Sequence, residues 1–274
     1  MGFSVNTNAA ASVALQTLSK TNKGLDKTQN AINTGQKVSS AKDNAAIFAI
    51  AQNLRSDVSG LNAVKQSIDN AMSATDVAMA AGQAVSDLLV EMKEKAVASA
   101  DAGQDSASRK ALNDDFGQLR DQIKSIVDNA EFNGINAVKS GGQSIVAILD
   151  DKASTTLTIA AQALNLGGTN VTITTSAKID TKSAASTQVT ALETSLKNVN
   201  SALSKLGSGA KRLEMQKEFV TKLSDAITNG IGNLVDADLA KESASLQALQ
   251  VKQQLGMQAL SIANQQPGSV LSLF

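Results

Sequence analysis

The chain has 274 residues, with 25 basic and 25 acidic side chains and neither histidine nor cysteine. Without those two residues, disulfides, thiol chemistry and the usual nucleophile–base arrangements of enzymes are excluded. Because the formal net charge is zero and no basic run stands out, neither nucleic acid nor an anionic membrane surface is an expected partner.

Long helices are favoured by the composition, since aromatic residues make up only 2% of the chain and one proline, Pro267, is present. The first residues, Met1 to Asn6, lack the basic start and apolar core of a signal peptide. No stretch approaches the roughly 18 apolar residues of a membrane span. We therefore expect no membrane insertion, and any export to use a route without a cleaved signal.

The first predicted helix runs from Ala11 to Ile32, where apolar residues recur in steps of seven that include Leu18 and Leu25. A break follows at Asn33–Gly35. The serines Ser39 and Ser40 are predicted to cap the next helix.

A second, much longer helix is predicted from Asn44 to Ala100 by two interleaved heptad series. One contains Ile47, Leu54, Leu61 and Ile68, and the other Ile50, Val64, Ala71, Ala78, Val85 and Met92. At 1.5 Å per residue this helix would be about 85 Å long, so an elongated molecule is expected. A third helix should return antiparallel to it and end at Asn129.

Between Gly141 and Asp180 the apolar period changes to two, which is typical of strands. Leu157 and Ile159 alternate with threonines, as do Val171 and Ile173, and a turn is predicted at Asn165–Gly168. We interpret this region as β-hairpins that must pack on a helix to be stable.

A fourth helix is predicted from about Ser186 to Asn229, with a tolerated weak point at Gly207–Gly209. The glycines and asparagines from Asn229 to Asn233 predict a joint before the last helix, which runs from Val235 to Phe274.

That last helix has two apolar stripes on opposite sides at 100° per residue. One contains Val235, Leu239, Leu246, Leu249, Met257 and Leu260, and the other Ala244, Ala248, Val251, Leu255, Ala259 and Ile262. A surface helix normally has one apolar face, so two opposed faces need protein on both sides. A buried helix at the centre of a globular core would satisfy this pattern. We favour a helix completed by neighbouring copies of the same chain.

None of the candidate catalytic or ligand-binding motifs in the sequence has the residues or spacing that such a site requires. The acidic pairs Asp114–Asp115 and Asp150–Asp151 are best explained as solvated faces, and Gly207–Arg212 lacks the spacing of a phosphate-binding loop. We expect no catalytic residue, no cofactor and no metal site.

Several runs resemble bacterial flagellins, in order and at the matching ends of the chain. They are Val5–Ala10, Asn33–Ala46, Phe132–Gly134, Asp236–Glu242 and Ala263–Leu273. The resemblance covers roughly residues 1–138 and 200–274. Lys37 stands where that family usually has arginine and Asn44 where a second aspartate is common, so salt bridges in this segment are expected to differ in strength from those of the family.

The resemblance implies a mainly α fold, an elongated coiled-coil bundle with a small β-hairpin region and paired terminal helices. Residues 1–42 and 233–274 would form an inner coiled-coil domain. Residues 43–140 and 183–232 would form a helical bundle domain, and residues 141–182 a β-hairpin region with a surface loop. Larger flagellins insert outer domains there, and none is expected here.

By the same resemblance, the chain is expected to be a structural subunit, not an enzyme, that polymerises into the flagellar filament and transmits motor torque as a supercoiled propeller. Its partners would be itself, other flagellins, an export chaperone, and cap and hook-associated proteins. It would be extracellular, exported by the flagellar type III apparatus without a cleaved signal peptide.

Three sets of functional residues are predicted on this basis. Inner-domain assembly is assigned to Leu18, Leu25, Ile32, Leu239, Leu246, Leu249, Leu255, Leu260 and Ile262. The domain linker that sets the supercoil is assigned to Lys37, Ser40, Asp43 and Asn44. O-glycosylation is expected at unspecified positions from Ser154 to Thr190.

Two other classes stay open. A hook–filament junction protein would share the helical ends, although the closeness of the run from Ala263 argues against it. A dedicated binding module such as an adhesin predicts an aromatic or charged patch, and the sequence has neither.

Overall fold

The computed structural model describes the backbone of residues 7–271 and the side chains of residues 7–265. Within that range the chain forms five helices and one two-stranded antiparallel sheet. The helices are α1 (Ala9–Thr34), α2 (Ala45–Ala100), α3 (Ser106–Asn129), α4 (Lys182–Val235) and α5 (Leu239–Leu271), and the strands are β1 (Ile145–Ile148) and β2 (Thr156–Ile159). The predicted mainly α fold with a small hairpin is confirmed.

Parts of the sequence argument lie outside the described residues. These are residues Met1–Asn6, on which the expectation of export without a cleaved signal rests and which include the flagellin-like Val5 and Asn6, and the end of the C-terminal run at Ser272–Leu273.

The predicted joint at Asn229–Asn233 is wrong, because α4 continues to Val235 and the break falls at Asp236–Asp238. Val235 is only 1% exposed and belongs to α4, not to the last helix. The Asp238 carboxylate accepts hydrogen bonds from the amides of Ala240 and Lys241, at 3.0 and 3.1 Å, and so caps α5. Packing of the last turn of α4 outweighs the low helix propensity of its glycines.

The glycines at 207 and 209 do not interrupt α4. Gly209 lies against the hairpin, and a Cβ built there would be 2.7 Å from Cδ1 of Ile159, whereas one at Gly207 would meet nothing within 4 Å. Gly209 therefore permits close approach of strand and helix.

The chain divides into two compact units. Unit 1 contains the residues up to Ser56 and those from Ala226 onward, and unit 2 is Asp57–Asp225. Unit 1 thus holds α1, α5, the first turns of α2 and the last turns of α4.

The core of unit 2 is built from buried side chains of three helices, which in α2 are predicted heptad positions. Fully buried side chains include Ile68, Val85 and Met92 from α2, Phe116 and Ile123 from α3, and Leu192, Val199, Leu206 and Leu213 from α4. Lys217 of α4 forms an ion pair with Asp69 of α2 at 2.7 Å. In unit 1, by contrast, Ile50 belongs to a predicted core series of α2 yet is 50% exposed.

The hairpin of unit 2 pairs Ile145 with Ile159 and Ile148 with Thr156. Leu157 and Ile159 are buried while Thr156 and Thr158 are exposed, as the period of two predicts. The amide of Ile148 donates to Ser67 Oγ on α2 at 3.0 Å. The hairpin is therefore supported by a helix, as expected.

The second predicted hairpin is wrong, because Val171 and Ile173 are buried and alternate with exposed threonines without forming a strand. The amide of Thr172 donates to Ser195 Oγ on α4, and Val171 makes only an isolated bridge with Leu166. A helix side chain takes the place of a neighbouring strand.

Candidate assembly surface and linker

Helices α1 and α5 pair antiparallel along their lengths. The Asn8 side chain donates to the carbonyl of Ala263 at 2.7 Å, and Gln253 donates to Asn22 at 2.8 Å. Between these bonds Leu18 packs over Gly256, and just beyond the second bond Leu249 packs over Gly24. The pairing of the terminal helices, predicted from resemblance, is present in the structure.

The predicted assembly residues divide into two groups. Leu25 is buried, and Leu18, Ile32, Leu246, Leu249 and Leu260 are half-buried. Leu239, Leu255 and Ile262 are exposed. The structure thus places Leu18 and Leu249 of the first group at the seam of α1 and α5, and leaves the second group exposed.

The second apolar face of α5 carries Ala244, Ala248, Val251, Leu255, Ala259 and Ile262, and all six are exposed. We call these residues the outer stripe. Val251, Leu255 and Ile262 are 55%, 58% and 64% exposed. Scattered apolar residues on a surface are ordinary, but a continuous stripe along a helix marks an interaction site.

The linker between α1 and α2 is bonded to the end of α4 through the backbone. The amide of Lys37 donates to the carbonyl of Val235 at 2.7 Å, and the amide of Ala237 donates to the carbonyl of Gly35 at 2.9 Å. Gly35 ends α1 with φ of 70°, a left-handed conformation that glycine adopts without strain.

A small apolar cluster lies beside these bonds. Val38, Ala51 and Val235 are buried in it, with Phe48 and Ile231 packed against them. The linker is therefore positioned by backbone bonds and by apolar packing, both within unit 1.

Asp43 organises the loop before α2. Its carboxylate accepts hydrogen bonds from the amide and hydroxyl of Ser40, both at 3.0 Å, and from the amide and hydroxyl of Ser39, both at 3.2 Å. The Ser40 bonds, followed by those of Ser39, lower the pKa of Asp43 below its ordinary value.

The predicted N-cap of α2 at Ser39–Ser40 is wrong. Asn44 takes that role, since its side-chain oxygen accepts from the amide of Ile47 at 3.1 Å. Both serine side chains are bonded to Asp43 instead.

Lys37 makes no ion pair among the described residues. Its Nζ donates to the carbonyl of Asn233 at 2.9 Å, near the end of α4, where a positive charge is favoured by the helix dipole. The linker contacts of Lys37 and Asn44 are thus hydrogen bonds to the backbone.

Replacing Asp43 by asparagine is expected to loosen this loop, because the substitution removes the charge that holds four donors. We expect amide-exchange protection factors of Ser39 and Ser40 to fall about threefold, measured by NMR near neutral pH. The same loss should occur in the unmodified chain at low pH. Since the pKa is lowered on folding, the stabilisation is complete above about pH 4 and disappears as the pH falls through the lowered value.

Asp26→Asn, at an exposed position on α1, is the control and should leave both amides unchanged. Equal protection of the two serines in Asp43→Asn and in the unmodified chain would show that the carboxylate does not organise the loop.

The segment predicted to carry sugars presents many hydroxyls to solvent. Between Ser154 and Thr190, exposed serines and threonines include Thr156, Thr158, Thr174, Thr175 and Ser176. Others are engaged: Ser154 and Thr155 donate to Asp150, and Thr172 donates to the carbonyl of Ala191.

No other arrangement of side chains within residues 7–271 indicates a catalytic or metal-binding site. The carboxylate of Asp115 pairs with Lys95 at 3.1 Å, and Asp150 holds its own loop. No cluster of three or more metal-binding side chains occurs in that range. None of the helices there is both long and apolar enough to cross a bilayer.

Comparison with known proteins agrees with this arrangement. A family model described as the bacterial flagellin N-terminal helical region matches residues 5–141, and one described as the C-terminal helical region matches residues 189–274. Flagellin FljM of Caulobacter vibrioides is 47% identical over 271 residues, covering 99% of this chain and 98% of that protein. A flagellin of Brucella melitensis is 37% identical over 289 residues and covers 99% of each chain.

Two solved structures share the fold. Bacillus cereus flagellin has a TM-score of 0.50 at 24% identity, over 56% of this chain and 88% of that one. A putative flagellar hook-associated protein from Vibrio parahaemolyticus has a TM-score of 0.60 at 14% identity, over 71% of this chain and 100% of that one. Given the family models and the identity over nearly the whole chain, this protein belongs to the bacterial flagellin family.

Proposed function

We propose that this chain is a subunit that polymerises into the extracellular filament of the bacterial flagellum and transmits motor torque as a supercoiled propeller. The proposal rests on the outer stripe, which stays exposed on α5 although the opposite side of that helix already packs on α1. Copies of the same chain supply the second apolar partner that a two-faced helix needs.

Seeded growth tests this function. Purified chain added to short filament fragments should lengthen them, as seen by electron microscopy, above a definite critical concentration. Fragments that keep their length at every chain concentration would contradict the proposal. The hook–filament junction alternative predicts instead that the chain is a trace component of purified filaments.

The junction alternative gains no support from the comparisons. The hook-associated structure is 14% identical and shows a shared fold alone, whereas the relatives at 37–47% identity are flagellins.

Partners and an export route are proposed by analogy with other flagellins. The chain would leave the cell unfolded through the flagellar type III apparatus, without a cleaved signal peptide, and bind an export chaperone. At the filament it would contact other flagellins, the cap and hook-associated proteins. The role is structural rather than enzymatic, in line with a sequence that has no histidine or cysteine.

Unit 1 is proposed as the inner coiled-coil domain and unit 2 as the next shell of the filament. The predicted inner segments, residues 1–42 and 233–274, lie within unit 1, which also includes the first turns of α2 and the last turns of α4.

Linker substitutions are expected to change filament shape more than polymer yield. Lys37→Ala removes the bond to the carbonyl of Asn233, and Asp43→Ala removes the acceptor of the serine loop. Both variants keep the outer stripe, so subunits should still add while the geometry of unit 1 around the linker differs. Electron microscopy of waveform and sedimentation of polymer measure the two effects.

Lys42→Ala is a matched control, since Lys42 lies exposed in the same loop. Unaltered waveforms in both Lys37→Ala and Asp43→Ala would count against a role of this linker in supercoil selection.

Glycosylation is proposed on the exposed hydroxyls between Ser154 and Thr190, which include those of the turn at Thr175–Ser176. Chain isolated from native filaments should have an intact mass above the 28.2 kDa of the bare sequence. The added mass should map to this segment and decrease in a Thr175→Ala, Ser176→Ala variant. An intact mass equal to that of the bare sequence would refute the proposal.

A further inference from the structure

Unit 2 has an exposed stripe on α2 that its core does not use. Asp87, Val90, Glu94 and Val97 follow one another at spacings of three and four and are all exposed. Val90 and Val97 are 57% and 52% exposed. We call these four residues the acidic stripe. Apolar residues at heptad spacing on the solvent side of a helix are typical of a helix that has a further packing partner.

A second stripe with the same spacing lies on α4. Lys205, Ser208, Arg212, Met215 and Phe219 are all exposed, and Met215 and Phe219 are 56% and 58% exposed. We call these five residues the basic stripe. Lys205 and Arg212 also line a groove of 330 Å³ together with Ser208 and Thr158.

The charges of both stripes remain available for a partner. In the described part of the chain, Glu94, Lys205 and Arg212 form no ion pair. The lysines next to Glu94 point elsewhere, since Lys93 pairs with Glu193 and Lys95 with Asp115. Asp87 accepts only a hydrogen bond from Gln83, at 2.9 Å.

We propose that the acidic stripe of one copy packs against the basic stripe of a second copy, with Glu94 on Arg212 and one adjacent valine against Met215 and Phe219. The proposal rests on the proposed filament function and names one contact within it. Pairing of like stripes would place carboxylate on carboxylate or base on base, which is strongly unfavourable. Two different surfaces in contact form a heterologous interface, which extends into an open polymer instead of closing into a dimer.

Charge reversal tests the contact in seeded growth of the full chain. Glu94→Lys and Arg212→Glu each place like charges in the interface, so each should raise the critical concentration about tenfold or more. An equal mixture of the two single variants should elongate seeds close to normally. In alternating order, Lys at position 94 meets Glu at position 212, and the native Glu94 meets the native Arg212.

Asp114→Lys, a charge reversal at an exposed position of α3 outside both stripes, should grow as the unmodified chain does. Circular dichroism of each monomer excludes misfolding as the cause of lost growth. Phe219→Ser tests the apolar part of the proposed contact. Because Phe219 is exposed in the monomer and buried only between copies, its loss should slow growth without changing the melting temperature of the monomer.

Normal growth of both single variants, or a mixture as inactive as its components, would overturn the proposed contact. Failure of the unmodified chain to elongate seeds would instead contradict the filament function itself, so the two failures are distinguishable.

Discussion

Replacing both Leu255 and Ile262 by serine is expected to raise the critical concentration for filament growth at least about a hundredfold. Burying each large aliphatic side chain contributes about 1.5–3 kcal/mol, so two contribute about 3–6 kcal/mol. At 1.4 kcal/mol per factor of ten, the loss corresponds to roughly two to four decades. In the single chain both side chains are more than half exposed, so helicity and melting temperature should barely change.

Sedimentation of seeded reactions over a range of concentrations measures this effect. Gln254→Ser, at an exposed polar position of the same helix, serves as the control and should grow normally. Growth of the double variant at the concentration needed by the control would show that the outer stripe is not buried between subunits.

Asn136→Ala is expected to lower the free energy of unfolding of unit 2 by about 3 kcal/mol. Asn136 is 1% exposed and lies between α3 and β1. Its amide nitrogen donates to the carbonyl of Val127 at 2.8 Å, and its side-chain oxygen accepts from the amides of Val138 and Lys139 at 3.0 and 2.9 Å. Removing the side chain leaves buried backbone groups without partners, at about 1–3 kcal/mol each.

Urea unfolding followed by circular dichroism provides the measurement. Asn133→Gly is the matched control, because Asn133 is exposed in the neighbouring turn at φ of 49°, where glycine is at least as well accommodated. Equal midpoints for Asn136→Ala and the control would show that the three hydrogen bonds contribute little.

Local pattern was enough to predict the long helices and the two faces of α5. Heptad positions such as Ile68, Val85 and Met92 are buried because helix periodicity decides which side chains share a face, whatever packs there. The outer stripe was predictable for the same reason. It is the part of the candidate site whose proposed burial requires a second copy of the chain.

The errors arise where distant contacts outweigh local preference. Gly230 and Gly232 predict a joint, yet α4 continues because Ile231 and Val235 pack with Val38 and Ala51, nearly 200 positions earlier in the chain. Val171 and Ile173 show the correct alternation, but their neighbour Thr172 finds its backbone partner on a helix. Periodicity shows which side is buried and does not identify the partner of the backbone.

Within the linker, the bonds that the candidate residues make could not be predicted from the sequence. The departures at Lys37 and Asn44 were considered in terms of salt bridges, whereas Lys37 binds the carbonyl of Asn233, Asn44 caps α2 and Asp43 binds two serines. Asn136 carried no recognisable signal, because an asparagine after a turn is usually a surface residue. Its role depends on the end of α3 lying beside it.

The most direct test of copy-to-copy burial uses the absence of cysteine from the chain. An Ala248→Cys variant places one thiol on the outer stripe, and Ser176→Cys places one on the exposed turn of unit 2. Alkylation rates are then compared in monomer and in filament. The account predicts that filament growth slows alkylation at position 248 at least about tenfold and leaves position 176 nearly unchanged; equal rates at position 248 in monomer and filament would contradict it.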